Sequence, residues 1–213
     1  MHHFRVAYSV TLLSMISLLG CGDDSTSVSN RRYSERTDST FAVGDSSVLQ
    51  VSNFAGKVTV LQGNPGEVEV VVEKWAAHTG DLNPIEVQMV ELQNGVSVST
   101  TNPSGLTQVS VDLEITAPPD MRPTLQNGAG DIAYEGRGEG ECHFGTASGT
   151  ITLSLPADVN VEVHLTVAAG SIRVDFPVVG QVSDHSVDGV IGTGADGRIE
   201  AQVGAGGIIV TSQ

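Results

Sequence analysis

A Gly-x-Ile motif recurs through the second half of this 213-residue chain. It appears as Gly130-Asp131-Ile132, Gly149-Thr150-Ile151, Gly170-Ser171-Ile172 and Gly197-Arg198-Ile199. Gly207-Ile208-Ile209 is a further copy with its isoleucine displaced by the choice of register, and Gly56-Lys57-Val58 is an early one. The later glycines are 19, 21, 27 and 10 residues apart, a period near twenty with one insertion and one half-step. Around the motif the chain alternates apolar and polar residues with period two, as in Val109-Ser110-Val111-Asp112-Leu113-Glu114-Ile115, which is strand patterning. A fixed repeat near twenty in an all-strand sequence predicts stacked coils, an all-β solenoid.

A second landmark keeps phase with the first. Ile115-Thr116-Ala117-Pro118, Leu153-Ser154-Leu155-Pro156 and Val174-Asp175-Phe176-Pro177 each close an alternating run at proline. Proline cannot donate to a ladder and so marks a strand end, while glycine supplies the positive φ of another corner. Aligning the copies on glycine predicts three inward columns: Ile132, Ile151, Ile172 and Ile199; Tyr134, Leu153, Val174 and Ala201; Leu125, Phe144 and Leu165. Cys142 is expected over Val163. Outward rows then carry Asp131, Thr150, Ser171 and Arg198, then Ala133, Thr152, Arg173 and Glu200, with Arg173 and Glu200 placed to pair. An antiparallel β-sandwich is the alternative, since it also gives short alternating strands, but it does not call for phase-locked Gly, Ile and Pro.

The beginning of the chain speaks to location. Met1 to Arg5 carries one fixed positive charge, Val6 to Leu19 is mostly apolar, and Leu18-Leu19-Gly20-Cys21 closes the run. The stretch is too short to span ~30 Å of hydrocarbon and fits a processed signal. Its ending resembles a bacterial lipobox, which implies a signal peptide over residues 1–20 and lipidation, palmitate included, at Cys21. Gly22 rather than aspartate after the cysteine points, by the same resemblance, to the outer membrane. Residues 21–40 are polar and without apolar period, which predicts the lipidated cysteine followed by a disordered tether. The folded domain is expected over residues 41–213.

Composition narrows the partners. The chain has 10 basic and 25 acidic residues, and removal of residues 1–20 takes away only Arg5. Such a surface repels nucleic acid and anionic headgroups, so contact with the membrane is expected through the lipid alone. With Cys21 lipidated, Cys142 is the one cysteine left, and no disulfide framework exists.

Val51-Ser52-Asn53-Phe54-Ala55-Gly56-Lys57-Val58-Thr59-Val60, then Gly66-Glu67-Val68-Glu69-Val70 and the later glycine repeats, resemble the putative-adhesin β-solenoid domains of bacterial exported proteins, a family of unknown function. The resemblance spans most of residues 41–213. It implies a right-handed parallel β-helix and brings no catalytic residues with it. The stretch between Gly170 and Gly197 departs from the even period.

Candidate chemistry is sparse. His143 and His164 each precede a repeat glycine by six residues, so adjacent coils would stack them outward ~4.8 Å apart. With Glu141 or Glu162 they form a candidate metal site, but a structural site needs four ligands and two solvated histidines is the plainer reading. Asp184-His185-Ser186-Val187-Asp188-Gly189 holds serine, histidine and aspartates together. Triad members converge from separate elements, so Asp184, His185 and Asp188 are better placed as loop candidates for binding. Gly128-Ala129-Gly130-Asp131 is a single echo of calcium-binding nonapeptide repeats, at the wrong period. Carbohydrate-active β-helix enzymes need paired acids in a cleft with aromatic platforms, and this chain is 4% aromatic. The expectation is therefore a non-catalytic, cofactor-free envelope module that binds a cell-envelope polymer or protein, or acts as a scaffold. A carbohydrate-active enzyme and a purely structural envelope protein are the alternatives.

Overall fold

A computed structural model describes residues 31–44 and 47–213. The lipobox, Cys21 and the first part of the expected tether lie outside those residues. The described residues are all-β, with one short 3-10 turn at Thr79–Asp81. The strands are β1 Tyr33–Ala42, β2 Val48–Asn53, β3 Val58–Gln62, β4 Glu67–Ala76, β5 Glu86–Leu92, β6 Gly95–Thr101, β7 Val109–Ala117, β8 Arg122–Ala129, β9 Ile132–Glu135, β10 Gly140–Leu155, β11 Val161–Val174, β12 Val178–Val182, β13 Ser186–Ile191 and β14 Gly197–Ser212.

These strands join one hydrogen-bonded network that divides into two rows. The first row runs β5-β6-β2-β8-β10-β14-β11-β13-β12. The second runs β1-β4-β7-β3-β9-β10-β14-β11. The long strands β10, β14 and β11 belong to both, their first halves in one row and their second halves in the other. Pairing is parallel from β6 and β7 through β11, and antiparallel pairing is confined to the ends: β1 with β4, β4 with β7, β5 with β6, β11 with β13, and β12 with β13.

The corner between the rows depends on glycine. Gly56, Gly130, Gly149, Gly206 and Gly170 all have φ between +118° and +145°. A Cβ on any of the last four would collide with the carbonyl of the glycine before it in that series, and one on Gly56 would strike the carbonyl of Val111. Neighbouring strands thus touch backbone to backbone at this corner, which only glycine permits. Buried polar side chains line its inner side. Asn53 Nδ2 donates to the Val111 carbonyl (2.9 Å), Asn127 Nδ2 to the Gly56 carbonyl (2.7 Å), and Thr146 Oγ1 to the Gly130 carbonyl (3.0 Å). Asparagine and threonine are affordable inside because each donor meets a carbonyl there.

Inward residues form continuous columns. Leu113, Val58, Ile132, Ile151, Ile208 and Ile172 are in register, as are Ile115, Val60, Tyr134, Leu153, Val210 and Val174. In the first row Val98, Val51, Leu125, Phe144, Ala201, Leu165 and Val187 follow one another. Nearly all are fully buried, each worth ~1.5–3 kcal/mol of transfer free energy. Tyr134 and Phe144 add a tilted ring contact, centroids 5.1 Å apart.

Several expectations need correction. β14 lies between β10 and β11, so sequential copies are not neighbours. Ile199 therefore stands between Cys142 and Val163, Ala201 between Phe144 and Leu165, and Ile208 and Val210 fill the places assigned to them. The reason is the corner glycine of β14, which is Gly206 in Gly206-Gly207-Ile208 rather than Gly197 or Gly207. The irregular stretch after Gly170 is an antiparallel hairpin, β12 and β13, rather than another turn of the repeat. Residues 33–40, expected in the tether, belong to β1, which pairs along its whole length with β4. Its polar side chains gave no apolar signal, but main-chain hydrogen bonding to β4 requires none. Arg31 helps to fasten this strand, pairing with Asp112 and lying 5.3 Å from the Trp75 ring centre. Finally, Arg173 pairs with Asp175 (2.8 Å) and not with Glu200.

Candidate functional site

Alternation along β10, β14 and β11 turns every second residue of the first row to the outside. Because Cys142, Ile199 and Val163 face inward in register, the residues after them face outward in register. These are His143, Glu200 and His164, continued by Asp188 on β13. The result is a row in which imidazoles and carboxylates alternate. His143 Nδ1 is 3.2 Å from Glu200 Oε2, and His164 Nδ1 is 3.3 Å from Asp188 Oδ2. On the next row Arg198 stands in register between Glu141 and Glu162, and its Nη2 reaches Glu200 Oε1 at 2.7 Å. All four members of the imidazole–carboxylate row are partly or fully exposed, so water screens these pairs and each is worth at most ~1 kcal/mol.

Beside this row the surface dips. A shallow depression of about 310 Å³ is bordered by His143, His164, Glu200, Gln126, Gln202 and Thr166. It adjoins a second of about 440 Å³ over Thr146, Ala147, Ala168 and Gly204, whose small side chains leave the room. The floor is backbone and small residues, and the rim is amide, hydroxyl, imidazole and carboxylate. Such a surface can exchange hydrogen bonds with a flat, polar, repeating ligand.

The sequence candidates distribute unevenly over this site. His143 and His164 belong to it, but Glu200 separates them by two strand spacings, ~9.6 Å. Each faces a carboxylate, and among the described residues no group of three or more His, Cys, Asp or Glu is arranged to hold a metal ion. Asp188 belongs as the partner of His164. Asp184 and His185 occupy the turn between β12 and β13, where their carbonyls accept from the Ile172 and Val167 amides (2.9 and 3.0 Å) and tie the hairpin to β11. Glu200, Gln126, Gln202 and Thr166 were not singled out as site residues. The signal was present for Glu200: it precedes Gly206 by six residues, as His143 precedes Gly149 and His164 precedes Gly170.

Cys142 lies beneath the row, fully buried. Burial pushes its thiol up to about 12, against a smaller downward pull from the Arg122 charge. A thiol held protonated is a poor nucleophile and a poor metal ligand. Burial likewise raises the neighbouring Tyr134 phenol.

No family model and no curated protein matches the chain. Among solved structures it is similar to a putative cell adhesion protein from Clostridium sporogenes, at 11% identity and TM-score 0.54, over 84% of this chain and 100% of that one. A putative adhesin from Bacteroides fragilis aligns at 12% identity and TM-score 0.29, over 82% of this chain and 96% of that one. One from Parabacteroides merdae aligns at 8% identity and TM-score 0.22, over 78% and 95%. The first of these likenesses is one of fold.

Proposed function

We propose that this chain is an exported bacterial envelope protein, anchored through lipid on Cys21 at the outer membrane, whose domain winds as a right-handed parallel β-helix and binds a ligand without catalysis. The winding is supported by the parallel stack, by the run of corner glycines and by the fold shared with the Clostridium sporogenes protein. Anchoring is supported by the lipobox resemblance of Leu18 to Cys21. One observation carries the binding role. The row His143, Glu200, His164 and Asp188 with its adjoining depression lies on the outer surface, where no inward column requires those residues. Strand-spaced donors and acceptors suit a polar cell-envelope polymer or an extended protein segment better than a small molecule, because the depression is open and shallow.

The test is retention of cell-wall glycan and envelope proteins by the mature chain carrying Cys21→Ser, compared with the same chain carrying His143→Ala, Glu200→Gln and His164→Ala as well. A ligand retained by the first and released at least tenfold by the second is expected. Equal retention by both chains removes this face from the proposal, and turnover of an offered glycan replaces binding with catalysis. Anchoring is read separately, as palmitate incorporation that Cys21→Ser abolishes.

A further inference from the structure

The two ends of the strand stack are finished differently. At one end the outermost strands are β5, with Glu86 and Glu91, and β1, with Glu35, Arg36 and Asp38. Charges along an outer strand oppose pairing with another chain. Val87, Met89 and Leu106 also pack there against the core. At the other end the first row stops at β12, Val178-Val179-Gly180-Gln181-Val182, which has no charged residue. Val179 is 77% exposed and Val182 64%. Beside them Ile172, Val174, Phe176 and Val178 are only partly buried against the core. One side of β12 pairs with β13, and the other pairs with no strand among the described residues. An uncharged, apolar outer strand on so acidic a chain invites pairing.

We propose that two copies of this chain join tip to tip through antiparallel pairing of β12 with β12 about a two-fold axis at Gly180. That register sets Val178 against Val182 and Val179 against Gln181, so apolar residues meet apolar or neutral ones. Extended past the strand, it brings Asp184 of one copy toward Phe176 of the other and His185 toward Asp175, so no acid faces an acid. A second copy fits on this ground, whereas an acidic copy offered to β5 or β1 would meet Glu86, Glu91, Glu35 or Asp38. The two-fold axis closes the assembly at two, because the opposite ends bear the charged strands. β1 lies at the end opposite β12, so the pair carries the β1 strand of each copy at its outer extremities.

The experiment uses the full chain in its own cells, with Gln181→Cys and a short bis-maleimide. In the proposed register these cysteines are diagonal cross-strand neighbours, ~7–8 Å apart. The expected product is a covalent dimer of twice the chain mass. Gln88→Cys, exposed on β5, is expected to give at least tenfold less, and the unsubstituted chain, with Cys142 buried, sets the background. Adding Val179→Glu to Gln181→Cys is expected to cut the dimer at least fivefold with the thermal midpoint unchanged. A dimer yield from Gln181→Cys no greater than from Gln88→Cys, or an adduct of another mass, overturns the proposal. The same cross-link in a Cys21→Ser background separates the two readings. Persistence of the dimer shows that β12 pairing stands without the anchor, and its loss shows that anchoring alone brought the copies together, which also overturns it.

Discussion

The two rows of the stack share their inner chemistry and differ outside. Facing inward, both present unbroken apolar columns, mostly of Val, Ile, Leu and aromatic residues, with Ala201 and Cys142 in the first row. Facing outward, the first row of β10, β14 and β11 carries Glu141, His143, Arg198, Glu200, Glu162 and His164. The second carries Thr150, Thr152, Ser154, Ser171 and Thr211, with Arg173 as its one charge on those strands. Both rows are built on the same three strands in the same parallel pairing. The second row, with Ile209 standing among its outward hydroxyls, shows that such a stack needs little charge on its outside, so the ionic row is not a requirement of the fold. Packing is fixed from within, and the outer surface is free to be used.

The largest expected disruption is to the corner that both rows share. Gly206→Val would force a Cβ into the Gly149 carbonyl at a φ of +138°. We expect a loss of ~3 kcal/mol or more, seen as a fall in the urea midpoint. An unchanged midpoint would show that the rows do not depend on backbone contact there.

Next comes the column itself, probed at its middle and its end. Ile208, fully buried between Ile151 and Ile172, should cost ~2–5 kcal/mol when changed to alanine. Ile172, half-buried beside the open end, should cost no more than half of that. Equal losses would mean that the end is covered as well as the middle.

The buried thiol makes stability depend on alkaline pH. Cys142 ionises near 9.0 when unfolded and at about 12 when folded. Its contribution is complete below pH 9 and is lost as pH rises from 9 through 12, because the unfolded chain releases the proton first. The slope approaches ~1.4 kcal/mol per pH unit for this group. Tyr134 acts in the same direction at still higher pH. Equilibrium unfolding between pH 8 and 11 should show this decline, less steep in Cys142→Ala, and alkylation of Cys142 should await unfolding.

The smallest effect on stability is expected where the proposed function is concentrated. Glu200→Gln removes the partner of both His143 and Arg198 but should shift the urea midpoint by less than ~1 kcal/mol, since these groups are exposed. A loss as large as that of Ile208→Ala would make the ionic row a structural element and remove the contrast between the rows.

What could be read in advance follows from the same contrast. Inward and outward positions of Ile132, Ile151, Tyr134, Leu153, Leu125 and Phe144 were legible, because alternation along a strand is local. Strand ends were legible at Ala117 and Leu155, each followed by proline. β1 was not, since its pairing with β4 uses main-chain groups that side chains do not announce. Asn53, Asn127 and Thr146 were also invisible, because a buried polar residue shows itself only through the carbonyl it meets. In the candidate site, His143 and His164 were visible as outward neighbours of a corner glycine. Their separation by Glu200 was not.

By itself, then, the sequence determined which apolar residues of most strands go inside and where most of the corner glycines fall, since period-two alternation and corner glycines act over a few residues. Only the tertiary structure decided the order in which the strands stack. Ile151, Ile208 and Ile172 are interchangeable in a column of similar shape, so pattern alone cannot say which lies between the others. Chain length discriminates weakly as well, because the entropy of closing a loop grows only with the logarithm of its length. The entry of β14 between β10 and β11, and with it the row His143–Glu200–His164, exists only in three dimensions.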